Sequence, residues 1–271
     1  MFVTINSENC VYLKSDFLFS PHGFATRVGG VSRLSDTRGL NLAFGRGDDR
    51  ETVLENLRIF SAAVGVDPHS VISLPQIHSD LVMDVEKEDG GRGYFTDADG
   101  ECDGYITDAI GVTLGVKTAD CVPILLEARD SENRVVTVAA LHAGWRGTYS
   151  EIVVRALENM RRRGIDPKRV FAAIGAAVCP DCYEVDEHFY RLFEEKFPTA
   201  PLNRFFPQQA PYHADLKEVN RWLLIGAGVP EENIDVCQLC TCCRQDLFFS
   251  HRYATAHGIG RGTRLSVISI A

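Results

Sequence analysis

The stretch VTLGVKTADCVPILLEARDSENRVVTVAA occupies residues 112–140 and holds three strand-like runs, at 112–116, 121–126 and 135–140. β-Branched and aliphatic residues dominate each run, as they do in strands buried within a sheet. The polar turn RDSEN at 129–133 separates the last two runs. We therefore expect these two runs to pair as an antiparallel hairpin.

Outside this stretch, one pattern occurs three times: a helix-like segment ends at Gly, Pro follows within three residues, and a short β-rich run comes next. The glycines are Gly65, Gly164 and Gly228. Gly commonly ends a helix in the left-handed conformation, and Pro cannot continue the helix. The helices and strands do not alternate regularly, so the pattern predicts a mixed α/β domain. Helices are expected to begin behind Asp48 or Asp49, near Thr148 or Ser150, near Asp186 and near Asp215.

Composition indicates one large globular domain. With 271 residues, 45% of them hydrophobic, the chain can bury a sizeable core. No Pro/Ser-rich linker divides it, and the glycine- and acid-rich segment 86–103 is typical of a surface loop. We expect a single domain over residues 1–271.

Charge and hydropathy exclude several classes of partner. A net charge of −9 has the wrong sign for a protein whose main partner is nucleic acid or an anionic membrane. No apolar run approaches the roughly 18 residues of a membrane-spanning helix, and the N-terminus MFVTINSENC lacks the features of a signal peptide. We expect a cytoplasmic protein.

Nine cysteines cannot all be paired in disulfides, so reduced thiols are expected. CPDC at 179–182 and CQLCTCC at 237–243 could form a zinc ribbon. However, the first pair spans a Pro-containing turn, and the second pair starts inside a predicted strand whose neighbouring residues face opposite ways. We interpret them as ordinary reduced thiols, an interpretation that two tightly bound zinc ions per chain would contradict. The thiols of the second segment are Cys237, Cys240, Cys242 and Cys243.

Three segments place a metal-capable side chain at the end of a strand-like run, and they carry His78, Cys121 and His142. Loops gather at strand ends, so residues far apart in sequence can meet there. Two imidazoles and one thiolate suit Zn²⁺ and leave a fourth tetrahedral position for water, which a metal acidifies. Alternatively, each His makes structural hydrogen bonds and Cys121 is a buried apolar residue.

Two glycine-rich segments are candidate anion sites. HAGWRG at 142–147 precedes a helix, so its backbone N–H groups, the helix dipole and Arg146 could face a phosphate. NLAFGRGD at 41–48 also leads into a helix. We take Asn41, Arg46 and Arg146 as candidate substrate-binding residues.

Seven stretches, taken in order, resemble the YfiH/YlmD family. They are HGFATRVGGVS at 22–32, NLAFGRGD at 41–48, QIH at 76–78, TADCVP at 118–123, HAGWRG at 142–147, CYEV at 182–185 and FFSHR at 248–252. The resemblance implies an α+β fold, a layered α/β/β/α sandwich with mixed sheets similar to the cysteine-hydrolase-like domain of the cytotoxic necrotizing factors. It also implies a zinc site on His78, Cys121 and His142.

The family is described as purine nucleoside phosphorylases that also deaminate adenosine and cleave methylthioadenosine. We therefore expect a zinc-dependent enzyme that acts on adenosine, inosine, guanosine or methylthioadenosine with phosphate, as a monomer or homodimer. Cys121 and His142 are candidate catalytic residues, and Asp120 and Glu184 are candidate proton donors. Arg46 and Arg146 are the candidates for holding phosphate.

Other descriptions of the family leave three alternatives. A copper-dependent polyphenol oxidase, or laccase, would need more histidine ligands than eight scattered residues provide, although copper could replace zinc. A hydrolase editing peptidoglycan precursors could use Cys121 as its nucleophile. A binding module without activity would need Asp80 or Asp120 to close the metal site.

The chain departs from the family pattern at two places, Asp181 where a Cys is usual and the segment after Arg252. The run FFSHRY at 248–253 is expected to be a core strand that leads into a polar loop. His251 and Arg252 on it are candidate substrate contacts or merely solvated side chains.

Overall fold

The computed structural model describes residues 1–209 and 211–270. The strands are β1 Phe2–Asn6, β2 Cys10–Ser15, β3 His22–Gly29, β4 Val71–Ile72, β5 Val82–Asp84, β6 Gly104–Thr107, β7 Thr113–Thr118, β8 Val122–Arg129, β9 Val135–Ala143, β10 Val170–Ile174, β11 Glu184–Val185, β12 Gln208–Gln209, β13 Tyr212–His213, β14 Ile234–Val236 and β15 Arg264–Ser269. The helices are α1 Arg50–Val64, α2 Trp145–Tyr149, α3 Ile152–Arg162, α4 Glu187–Lys196, α5 Leu202–Phe205, α6 Leu216–Gly226 and α7 His251–His257.

Two six-stranded sheets form the centre of the fold. The first has the order β1-β2-β3-β15-β7-β4, and the second has the order β14-β10-β8-β9-β6-β5. Both are mixed, because β4 runs parallel to β7, and the pairs β10/β14 and β5/β6 are parallel within otherwise antiparallel sheets. The predicted hairpin is confirmed: β8 and β9 pair antiparallel at the middle of the second sheet.

The two sheets pack face to face, with helices on both outer faces. In β8, Leu125 points into the cluster between the sheets, whereas its neighbours Ile124 and Leu126 pack under α3 and α6. All eight residues of β8 are buried, as expected for a strand covered on both faces. Helix α1 covers the outer face of the first sheet with Leu57 and Phe60. The predicted α+β class and layered α/β/β/α arrangement are confirmed.

Local signals set the helix ends. Asp49, Asp186 and Asp215 cap α1, α4 and α6, each accepting a hydrogen bond from a backbone N–H of the first turn. Gly65 ends α1 in the left-handed conformation. The predicted unit of helix, glycine, proline and strand is therefore confirmed for α1 and β4, and it recurs before β10 and β14.

Three local predictions differ from the structure. The segment 86–103 is not simply a surface loop, because Tyr94 and Asp103 within it are buried. The helix expected to begin near Thr148 or Ser150 is preceded by the short helix α2, which begins within HAGWRG at Trp145. His251 begins helix α7, capped by Ser250, and does not follow a strand. The single domain over 1–271 stays a prediction, and Ala210 and Ala271 lie outside the described residues.

None of the helices that the described residues form has the length and apolar character needed to cross a membrane.

Candidate metal centre and active site

His78, Cys121 and His142 come together where loops meet the two sheets. His78 lies in the loop after β4, Cys121 lies in the turn between β7 and β8, and His142 lies near the end of β9. One ligating atom from each residue lies within 4.8 Å of the other two. The distance from Cys121 Sγ to His78 Nε2 is 4.0 Å, and the two imidazole ring centroids are 4.8 Å apart. The predicted convergence of these three side chains is observed.

The backbone is bent sharply at two points to achieve this. His78 and Asp120 both have left-handed conformations, with φ of 62° and 96°. Such conformations are uncommon for residues other than glycine and cluster at functional sites. The turn at Asp120 places Cys121 at the mouth of the site.

Asp103 orients both histidines, and sequence reasoning missed it. His142 Nδ1 lies 2.7 Å from Asp103 Oδ1. The backbone N–H groups of His78 and Ser79 donate to the same carboxylate at 3.0 and 2.6 Å. Because the carboxylate only accepts, His142 carries a proton on Nδ1, and its Nε2 faces Cys121. The sequence signal was an acidic residue directly before the apolar strand β6, hidden among the other acids of segment 86–103.

Asp103 stays ionised under all ordinary conditions. Burial opposes its ionisation, but hydrogen bonds from His142 and Ser79 outweigh burial and lower the pKa of Asp103 to about 2. A buried carboxylate beside an imidazole is the usual arrangement behind a metal-binding histidine. Asp103 is therefore placed to fix the ring orientation of His142.

Cys121 and His142 favour each other's charged forms. Burial raises the pKa of the Cys121 thiol, but the charge and hydrogen bond of His142, with a hydrogen bond from His78, lower it to about 6. Burial lowers the pKa of His142, but the Cys121 charge and the Asp103 hydrogen bond raise it to about 9. The arrangement thus supplies a thiolate, the form of cysteine that binds metals.

Gly144 leaves the space in which the three side chains meet. A Cβ atom at this position would lie 2.8 Å from His78 Cδ2 and 3.3 Å from Cys121 Sγ. Gly144 also has an ordinary φ of −68°, so its backbone conformation does not require glycine. Glycine is required here because the side chains of His78 and Cys121 pack closely against this position.

Two cavities meet at the three side chains. The first has a volume of about 310 Å³, and Trp145, Tyr183 and Leu216 contribute to its lining. The second has a volume of about 390 Å³ and is cationic. Both cavities are lined by His78, Ala119, Cys121 and His251. Of the two candidates on α7, His251 therefore reaches both cavities, whereas Arg252 lines only the first.

The cationic cavity is lined by Arg46, Lys117 and Arg261. Burial, followed by the charge of Arg46, lowers the pKa of Lys117 to about 8. Burial and the same neighbouring charge lower the pKa of Arg261. Cations that line one cavity attract an anion into it.

Arg46 and Arg146, the two predicted phosphate ligands, lie in different cavities. Arg46 is exposed and lines the cationic cavity. Arg146 lines the first cavity instead, where its guanidinium lies over the Trp145 ring with 4.3 Å to the centroid. The two arginines therefore face different cavities.

Asn41, a predicted substrate-binding residue, lines neither cavity. Its side chain is fully buried and makes four hydrogen bonds within the protein. Three of these bonds lie within the loop before α1, to Ala43 and Asp48, and the fourth comes from the backbone N–H of Thr263. A polar residue in a glycine-rich segment looked exposed, but distant chain segments cover it.

Asp120 and Glu184 are poorly placed to donate a proton to a substrate. Both carboxylate oxygens of Asp120 accept hydrogen bonds, from Thr241 Oγ1 at 2.6 Å and from Ser250 Oγ and the Arg252 N–H at 3.0 and 2.6 Å. Asp120 lines the first cavity while tying three loops together. Glu184 is exposed on β11 and lines neither cavity.

The metal site has an open side. Among the described residues, no fourth His, Cys, Asp or Glu joins the three at comparable distance. Asp80, one candidate for closing it, pairs with Arg155 at 3.1 Å. Asp120, the other, is held by Thr241 and Ser250. A reacting group therefore has room to approach.

Comparison with known proteins agrees with this geometry. Residues 21–271 match the family model described as multi-copper polyphenol oxidoreductase laccase. The crystal structure of YlmD from Geobacillus stearothermophilus superposes with a TM-score of 0.88 and 31% identity, covering 99% of this chain and 98% of that one. The chain belongs to the YfiH/YlmD family.

Curated members of this family carry nucleoside names. The chain is 37% identical to "Purine nucleoside phosphorylase YlmD" of Geobacillus stearothermophilus, over 85% of this chain and 84% of that protein. It is 35% identical to "Adenosine deaminase RL5" of an unknown prokaryotic organism, over 88% of this chain and 92% of that protein. The expected family is thus confirmed, and its named members act on purine nucleosides.

The laccase description of the family agrees poorly with the ligands present. The two groups of metal-capable residues among the described residues contain only two histidines, His78 and His142. His22 is another buried histidine, and both of its ring nitrogens already form hydrogen bonds, to the backbone N–H of Ser15 and the carbonyl of Ser20. A cluster of several copper ions needs more imidazoles than these.

Proposed function

We propose that this chain is a zinc-dependent purine nucleoside enzyme. It cleaves adenosine, inosine, guanosine and methylthioadenosine with phosphate, and it deaminates adenosine hydrolytically. The observation that carries the proposal is the position of His78, Cys121 and His142 at the junction of an aromatic cavity and a cationic cavity. The names of related proteins support purine nucleosides as the substrate class, with adenosine as one member.

The donor set fits zinc. Two imidazole nitrogens and a thiolate are common zinc ligands, although copper also accepts them. Asp103 behind His142 and the space left by Gly144 are what such a centre needs. When bound, zinc supplies Lewis acidity and makes water more acidic.

The aromatic cavity would hold the purine. Trp145 and Tyr183 line it, and each ring has an arginine guanidinium nearby, Arg146 and Arg252, with centroid distances of 4.3 and 5.2 Å. Burial raises the pKa of Tyr183 to about 12, so its hydroxyl keeps its proton and can hydrogen-bond a base. Flat aromatic walls with few polar groups suit a nucleobase.

The cationic cavity would hold phosphate. Arg46, Lys117 and Arg261 would bind and orient this anion next to the ribose. In phosphorolysis, a phosphate oxygen bonds to C1′ while the C1′–N9 bond breaks. The electron pair of that bond leaves with the purine, which gains a proton.

His251 is placed to move protons. Apart from the metal ligands, it is the one titratable side chain that lines both cavities, among the residues that the structure describes. Burial and the charge of Arg261 lower its pKa, so its ring is neutral at pH 7 and can accept a proton. In deamination, water adds its oxygen at C6 and ammonia leaves. His251 would carry a proton between the two.

A second candidate uses the same residues differently. Cys121 Sγ lies within 4.0 Å of an imidazole nitrogen, an arrangement that also serves cysteine nucleophiles. This favours the hydrolase of peptidoglycan precursors as the alternative function. Mass spectrometry would then find an acyl group on Cys121 after incubation with a precursor.

Product analysis tests the proposal. Zinc-replete protein is incubated with adenosine, with and without phosphate, and the products are identified by mass spectrometry. We expect inosine without phosphate, and free base with ribose 1-phosphate when phosphate is present. Cys121→Ala and His142→Ala should abolish both reactions. An unchanged deamination rate in either variant would contradict a metal-based mechanism.

A further inference from the structure

A second group of thiols lies away from the candidate active site. Cys179, Cys182, Cys240 and Cys243 place their sulfurs within 4.8 Å of one another. The Sγ of Cys243 is 3.4 Å from that of Cys182 and 3.9 Å from that of Cys179. We propose that these four cysteines form a structural zinc site that clamps two loops beside the substrate cavity.

The fold brings the four residues together at one edge of the second sheet. Strands β10 and β14 are parallel neighbours, so their carboxyl ends lie side by side. The pairing continues past both strands as a bridge between Ala177 and Cys240, with Thr241 N–H donating to Ala177 O at 3.1 Å. Each strand is thus followed by a C-x-x-C turn, and the two turns lie side by side at the same end of the sheet.

The second turn uses a different pair from the one that sequence spacing indicated. The first C-x-x-C in CQLCTCC is Cys237 and Cys240, but Cys237 is buried in the core between the sheets. The pair at the cluster is Cys240 and Cys243. The interpretation as ordinary thiols took the second pair to start at Cys237, inside a strand, whereas the pair that meets Cys179 and Cys182 starts at Cys240.

The distances fit one tetrahedral ion. Four sulfurs around zinc, each at about 2.3 Å, lie about 3.8 Å apart. The two sulfur separations given above lie close to this value. Neither is near the bond length of a disulfide, which is about 2.05 Å. The space between the sulfurs therefore matches a single ion.

Backbone donors already surround one of the sulfurs. The N–H groups of Cys179 and Cys243 point at Cys240 Sγ with N···S distances of 3.2 and 3.4 Å. Hydrogen bonds from N–H groups stabilise a negatively charged sulfur, the form that binds a metal. Each donor belongs to another residue of the cluster, so the backbone is arranged around the thiol group as a whole.

The clamp would hold one wall of the aromatic cavity. Tyr183 follows Cys182 directly, and Thr241, which follows Cys240, donates to Asp120 at 2.6 Å. Val178 N–H, next to Cys179, donates to the carbonyl of Asp120 at 3.0 Å. Both clamped loops therefore contact the residue that precedes Cys121.

The experiment counts metal ions. Full-length protein in reducing buffer is saturated with zinc and passed into metal-free buffer. Its metal content is then measured by inductively coupled plasma mass spectrometry. We expect two zinc ions per chain. Cys243→Ser, at an exposed position, should lose one ion and keep the other. Cys242→Ser is the matched control and should keep both.

A second pair of measurements separates the two sites. Cys182→Ser should lose the same ion as Cys243→Ser, whereas His78→Ala should lose the other. In the cobalt-substituted protein, the sulfur-to-metal absorption should persist in His78→Ala and fall strongly in Cys182→Ser. This readout does not depend on activity.

Three results would overturn the proposal. One is a single zinc ion per chain that is lost in His78→Ala and unaffected by Cys243→Ser. Another is iron in place of zinc in the thiol cluster. The third is a disulfide between Cys182 and Cys243 in protein kept under reducing conditions.

Discussion

Asp103 and His142 lie 39 residues apart in sequence, yet their side chains form a buried 2.7 Å hydrogen bond. We predict that Asp103→Asn weakens zinc binding at the candidate active site by about 10- to 100-fold. An amide can donate to Nδ1 and thereby move the imidazole proton to Nε2, the nitrogen that faces Cys121. Competition with a chromogenic chelator measures the affinity.

Asp84→Asn is the control for this change. Asp84 is an exposed carboxylate on β5 whose partner is a surface arginine, Arg163. Its variant should keep the zinc affinity of the unmodified protein. Equal affinities of the Asp103 and Asp84 variants would show that Asp103 does not orient the ligand.

Gly144→Ala should remove zinc from the candidate active site without unfolding the chain. A methyl group there would press against His78 and Cys121 at 2.8 and 3.3 Å. Overpacking of this kind costs typically 1–3 kcal/mol, and His78 can relieve it by moving outward because it is exposed. Zinc content and thermal unfolding measure the two effects separately.

Gly226→Ala provides the comparison. A Cβ atom at Gly226 meets nothing within 4 Å, and this position ends helix α6. The variant should bind zinc normally and be slightly more stable, since Ala favours the helix by up to about 1 kcal/mol. Normal zinc content in Gly144→Ala would contradict the crowding argument.

Local signals made much of the fold predictable. The caps at Asp49 and Gly65 and the hairpin of β8 and β9 depend on residues close in sequence. The three candidate metal ligands could be predicted because each lies at a strand end, where loops meet.

Long-range pairing explains what could not be predicted. Asp103 reaches His142 only because β6 lies beside β9, with Gly104 opposite Leu141. Cys240 reaches Cys179 only because β14 lies parallel to β10. Neither neighbour relationship is visible in the spacing of the residues concerned.

Arg261→Gln should separate the two proposed reactions. Arg261 lines the cationic cavity but not the aromatic cavity. We expect the KM for phosphate to rise at least about ten-fold, the loss of roughly one charge-assisted hydrogen bond. At pH 8, where the His251 ring is neutral with or without the Arg261 charge, deamination of adenosine without phosphate should stay within about two-fold. Steady-state kinetics of both reactions in one preparation measure this.

Arg33→Gln, at an exposed arginine that lines neither cavity, is the control for charge removal. It should leave both reactions unchanged. If Arg261→Gln slowed deamination as much as phosphorolysis, the cationic cavity would not be a separate phosphate site.

Anion binding should weaken as the pH rises through 8. Burial and the charge of Arg46 lower the pKa of Lys117 from 10.5 to about 8, so its charge is lost between pH 7 and 9. If only the charged form binds, the affinity falls about ten-fold over this range. Sulfate is the probe, because it remains a dianion throughout, and calorimetry measures its binding. The other titratable groups lining this cavity are Arg46, His78, Cys121, His142, His251 and Arg261.

Two variants assign this pH dependence to Lys117. Lys117→Arg keeps its charge at every pH used, so its sulfate affinity should fall much less between pH 7 and 9. Lys117→Met carries no charge and should bind sulfate weakly at both pH values. Because the other titratable groups of the cavity are the same in all three proteins, a fall that persists in Lys117→Arg would come from one of those groups and would contradict the assignment.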